Sequence, residues 1–72
     1  MDTYKDRLEK EHSDLCEKIE RLVGFIGGDL YTSLDPAEQT RLRTQAFVMR
    51  QYADILQERI KFSTSSFQQA GK

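Results

Sequence analysis

The sequence predicts an all-α fold whose unit is an antiparallel helical hairpin with a short connector, assembling into a compact homo-oligomer. Three observations carry this. Residues 35–61, DPAEQTRLRTQAFVMRQYADILQERIK, hold a helical pattern with no Gly or Pro after the first turn. Residues 4–26 hold a second helical pattern, and the glycine-led segment GGDLYTSL separates the two. The apolar surface of the second helix is wider than one partner helix can cover, which points to self-association.

The first helix is expected over residues 4–26, with Asp2 or Thr3 as its cap. Leu8, His12, Leu15, Ile19, Leu22 and Ile26 follow at steps of four, three, four, three and four, which aligns them on one face. Cys16 and Val23 widen that stripe. Charges on the other faces contribute only a few tenths of a kcal/mol per opposite pair. Gly27-Gly28 is expected to end the helix, because Gly takes a left-handed C-cap without steric cost. The connector, residues 27–34, holds Leu30, Tyr31 and Leu34, too many large apolar side chains for a flexible linker. It is predicted to be a compact loop with one helical turn, folded onto the helix pair.

The second helix is expected over residues 36–61. Asp35 suits the cap, Pro36 the first helical position, and Glu38 a reciprocal capping contact. At ~1.5 Å per residue it extends roughly 40 Å. Leu42, Ala46, Met49, Ala53, Leu56 and Ile60 form one stripe, and Val48, Tyr52, Ile55 and Phe62 a neighbouring one. Residues 1–62 thus make a single helical-hairpin domain. Residues 63–72 carry the Ser, Gln and Gly bias of a flexible tail. Burying five or six large side chains across such an interface would contribute on the order of 10 kcal/mol before ordering costs. The isolated protomer is not expected to fold stably.

Composition narrows the function. The chain has 72 residues, enough for one small core. Its net charge of −1, from 11 basic and 12 acidic residues, gives no field that would recruit long nucleic acid or an anionic membrane. Cys16 is the only cysteine and His12 the only histidine, which leaves no disulfide framework and no metal motif. Cys16 reads as a small buried hydrophobe. No apolar run nears the ~20 residues of a membrane span, and the N-terminus is no signal peptide, so a cytosolic protein is expected. No Ser or Thr has a His and Asp beside it to activate it, and no catalytic residue or cofactor is expected.

The candidates for binding are few. His12 reads first as a core or interface residue and second as a ring that stacks on a ligand. Gly27-Gly28 reads as a helix terminator and, alternatively, as a phosphate-cradling turn. Lys18, Arg21, Arg41, Arg43 and Arg50 read as solvated charges. Arg59 stands among apolar residues, where its stem would be covered and its planar fork offered to a carboxylate or a phosphate. Tyr4, Tyr31 and Tyr52 serve equally for core packing or base stacking.

The segments EHSDLCEKIERLVGFI, LDPAEQTRL and QAFVMRQYADILQERI, in this order and spacing, resemble a family of very short phage-encoded helical proteins. Members occur in crAss-like and T-even-like phages. Glu38-Gln39 with Gln45, Met49, Tyr52, Leu56, Arg59 and Ile60 carry the resemblance, which covers residues 4–61. Characterised members are anti-CBASS sponges that sequester the cyclic di- and trinucleotide messengers, such as 3′,3′-cGAMP, of bacterial cGAS-like enzymes. The resemblance implies a homo-hexamer of hairpins in the cytoplasm of the infected host, with pockets between protomers and no ligand cleavage.

It also implies residue roles. His12 occupies the position of a Tyr that commonly stacks on a base, and Arg59 matches the Arg of a trinucleotide-type pocket shared by several chains. Where the family carries a basic residue at the end of the first helix, this chain reads Phe25-Ile26-Gly27-Gly28. The backbone N–H groups of Gly27 and Gly28, or Lys18 or Arg21, would then meet the phosphates. The ligand-binding set expected is His12, Lys18, Arg21, Phe25, Gly27, Gly28, Tyr31, Arg43 and Arg59. The competing expectation is a structural or protein-interaction module that docks a partner helix on the second stripe.

Overall fold

The computed structural model describes residues 3–70, with side chains for 3–63. It is all-α. Helix α1 spans Tyr4–Ile26, the short α2 spans Asp29–Thr32, and α3 spans Pro36–Ala70. α1 and α3 pack antiparallel as a hairpin, and the extents of 56 × 21 × 12 Å follow the length of α3.

Local chemistry explains each boundary. Thr3 caps α1: its hydroxyl accepts from the Asp6 N–H at 3.0 Å, and the Asp6 carboxylate accepts from the Thr3 N–H at 3.3 Å. The alternative cap, Asp2, lies outside the described residues. α1 ends at Gly27, but not by the left-handed route expected. Gly27 has φ −80°, and no described residue has a positive φ. The Gly27 N–H reaches Val23 O at 3.0 Å and the Gly28 N–H reaches Phe25 O at 3.0 Å, so a tightened last turn closes the helix. Asp35 caps α3 by accepting from the Ala37 N–H at 3.1 Å. Glu38 does not complete the expected reciprocal cap; its carboxylate accepts from Arg41 Nε at 2.8 Å instead. α3 also continues past the expected end at Lys61 to Ala70, where a flexible tail was expected from residue 63. No Gly or Pro interrupts the sequence between Pro36 and Gly71, so no residue there forces a stop.

The core is narrow. Leu8 and Leu15 of α1 meet Ala53 and Leu56 of α3, with Ile19, Met49 and Ile60 packed at the edges. Among the described residues, Leu56 is the one large side chain fully removed from solvent. The first stripe of each helix thus faces the other, as its spacing predicted. Cys16 is half-buried rather than buried, with its Sγ 3.7 Å from His12 Nε2 one turn away. Val23 adds little to the stripe, being 39% exposed.

The connector is held by one aromatic ring and one amide. Tyr31 is buried and donates its hydroxyl to Gln39 O at 3.0 Å. Gln39 Nε2 donates to Tyr31 O at 2.9 Å and to Leu34 O at 3.1 Å. Leu34 is half-buried, but Leu30 points outward at 69% exposure, so only two of the three apolar connector residues fold inward. A four-residue turn cannot aim consecutive side chains at the same face. Gln39→Ala should take its side-chain donor from Leu34 O and leave Tyr31 O with the Leu34 N–H alone, costing ~1–2 kcal/mol, read as a lower urea midpoint at unchanged slope.

Candidate functional site

Side chains with ligand-binding chemistry lie in three places along the hairpin. At the turn end, Arg43 Nη1 donates to the Tyr31 hydroxyl at 2.6 Å, with Thr40 Oγ1 3.5 Å from Nη2. Tyr31 accepts this bond while donating to Gln39 O, so its ring is fixed and too buried to offer a stacking face. Arg43 is exposed and keeps further donors for an anion.

In the middle, an open groove of about 340 Å³ runs between α1 and α3. Arg7, Lys10, Lys18, Glu11 and Asp14 line it together with Leu15 and Tyr52. Lys10 is held by Asp14 at 3.2 Å. This volume is at the low end of the ~300–1,000 Å³ of ligand pockets. The spacing 7, 11, 14, 18 was visible in the sequence as a charged flank beside Leu15. That Tyr52 closes the opposite wall has no signature in the sequence, because it stands on the other helix.

At the open end, Arg59 Nη2 donates to the Tyr4 hydroxyl at 2.7 Å, and its guanidinium carbon lies 5.8 Å from the Tyr4 ring centroid. The hydrogen bond to Tyr4, then its Coulombic attraction, raise the Arg59 pKa above its ordinary value; Glu11 adds a smaller favourable field.

The structure joins Tyr31 to Arg43 and puts Lys18 in the groove. It spreads the expected set along the length of the hairpin. Arg43 and Arg59 are separated by 59 − 43 = 16 residues of α3, ~24 Å along the axis. His12 is half-buried beside Cys16, while Arg21 and Phe25 are exposed farther along α1. The amides of Gly27 and Gly28 both donate to carbonyls of α1, at 3.0 Å each, which is the helix-terminating role. Among the described residues, no group of three or more His, Cys, Asp or Glu is placed to hold a metal ion. No helix among them is long and apolar enough to cross a membrane.

Exposed apolar surface accompanies these groups. Val48, Tyr52, Ile55 and Phe62 are 40–56% exposed and form the second stripe on α3. Phe47, 62% exposed, lies about 100° round the helix from Val48. Val23, Phe25 and Leu30 are exposed in and near the turn.

These features define a small helical-hairpin binding module with ligand-type groups distributed over its length. A family model, Sequestin, matches residues 2–62, and the chain belongs to the Sequestin family. This is the sponge family recognised above on the helix segments, and its name is that of a sequestering protein. No curated protein and no solved structure matches the chain.

Proposed function

We propose that the protein binds and sequesters cyclic di- and trinucleotide messengers without cleaving them, as a homo-hexamer, and so antagonises CBASS immunity in the cytoplasm of a phage-infected bacterium. Family membership over residues 2–62 carries the sequestering role. The nature of the ligand and of the assembly rests on the resemblance and on what the hairpin leaves exposed.

A two-fold contact through Val48, Tyr52, Ile55 and Phe62 covers one face of α3 only. Phe47 and the Val23, Phe25 and Leu30 surface point elsewhere, and a second kind of contact is needed to cover them. Dihedral assemblies supply two kinds, which suits a hexamer. Pockets between protomers also fit the separation of Arg43, the groove and Arg59, because neighbouring chains can bring distant groups together. His12, Lys18, Arg21 and Phe25 take part as stacking and phosphate-facing groups on α1. A cyclic dinucleotide presents two bases and two phosphates, and a two-fold interface presents each protein group twice. Stacking at ~1–3 kcal/mol per base with comparable bonds to phosphate reaches the ~−12 kcal/mol of nanomolar binding.

The test is titration calorimetry with 3′,3′-cGAMP and a cyclic trinucleotide, followed by heating and recovery of the ligand. Intact ligand is expected in the heat-released fraction. Arg59→Ala and His12→Ala should each weaken at least one ligand roughly 10-fold or more, the worth of a charge-assisted bond or a stacked base. Degraded ligand would identify an enzyme. An absent heat of binding would favour a module that docks a partner helix on the second stripe.

A further inference from the structure

We infer that Tyr4 is a positioning residue for Arg59, holding its guanidinium ready for a phosphate of the bound ligand; this rests on the sponge reading above. An exposed Arg side chain carries rotamer entropy that binding must otherwise remove. Here part of that freedom is already gone. Nη2 is bonded to the Tyr4 hydroxyl across the hairpin at 2.7 Å. The 5.8 Å ring distance is near the outer limit for a cation–π contact, so the hydrogen bond is the main restraint.

Tyr4 is well suited to hold something else still. It is the first residue of α1, and the Thr3–Asp6 capping box fixes the backbone on which it stands. Leu8, one turn on, anchors that end of α1 in the core. The restraint therefore comes from the two helices that make the hairpin.

The chemistry of the partner matters as much as its position. A carboxylate at this place would form an ion pair with Arg59, whereas the Tyr4 hydroxyl holds it through one hydrogen bond. Among the described residues Arg59 forms no ion pair with an acid; Glu11 acts on it only through a weaker field. One of five N–H donors is committed to Tyr4, and the rest of the fork remains for an oxyanion. Arg59 is also exposed on the same stripe as Ile55 and Phe62, so a ligand seated between copies meets the charge and an apolar wall together.

The test is a double-mutant cycle on the full chain, with Tyr4→Phe, Arg59→Ala and both together. Binding of 3′,3′-cGAMP and of cyclic triadenylate is measured by calorimetry, with thermal melts to show that each variant folds. Phe keeps the ring and its packing and removes only the hydroxyl. Tyr4→Phe is expected to weaken an Arg59-dependent ligand roughly five- to tenfold, the worth of one hydrogen bond, and to change nothing in the Arg59→Ala background. Equal losses in both backgrounds would assign Tyr4 a purely structural role and overturn the inference. Unchanged or tighter binding by Tyr4→Phe would also overturn it, the latter by making Tyr4 a competitor of the ligand. If the unaltered protein binds neither probe, the sponge reading falls and the inference falls with it. A ligand that binds with no Tyr4 effect sinks the inference alone.

Discussion

Leu56→Ala is expected to cost about 3–4 kcal/mol and to lower the protein's melting temperature sharply. Leu56 is 0% exposed, and its neighbours across the hairpin are Leu8 and Leu15, themselves almost fully buried. Truncating a buried Leu costs ~2–5 kcal/mol, more where the surroundings cannot collapse into the space. Two helices fixed by one narrow seam have few side chains free to move in. A chain of this length has only ~4–11 kcal/mol of stability at ~0.05–0.15 kcal/mol per residue, so the loss is a large share of the whole. Helicity followed against temperature would show it, with the exposed Gln51→Ala as a control expected within ~0.5 kcal/mol. A Leu56→Ala melt close to wild type would mean that the α1–α3 seam is not what holds the protein together.

The elements whose logic is local were legible in the sequence. Steps of three and four placed Leu8, Leu15, Ala53 and Leu56 on facing stripes, because helical geometry alone fixes which residues share a face. The end of α1 at the glycine pair was also legible, though not its mechanism. Right-handed tightening of the last turn competes with a left-handed cap, and the sequence does not decide between them. Contacts between distant residues were harder. Arg59 stood out because it interrupts an apolar stripe. That its partner would be Tyr4 depends on which end of α1 lies against it, and so on the length of the turn. Tyr31 and Gln39 hold the connector through a bond between a side chain and a backbone carbonyl, for which sequence spacing has no signature. The groove was missed for a similar reason: its charges belong to one helix and its aromatic wall to the other.

Ile55→Glu separates the protomer's own stability from that of the assembly. Ile55 is 52% exposed and lies in the middle of the second stripe. In a protein that works as a single hairpin, Glu there meets water, favours the helix about as well as Ile, and shifts stability by no more than ~0.5 kcal/mol. In an assembly that buries the stripe, a charge is forced into an apolar contact without a partner. A two-fold interface places two such charges near each other, at a cost of several kcal/mol. The expected result is a fall in mass by light scattering to a smaller species, with weakened helicity, because Leu56 and its few neighbours support the lone hairpin only marginally. Melting should also lose its dependence on protein concentration, which marks coupled folding and association. Leu56→Ala, by contrast, lowers the melting temperature while leaving that dependence in place. A variant at Ile55 that keeps the mass and melting of wild type would mean that the stripe faces solvent, and the case for pockets between protomers would lose its interface.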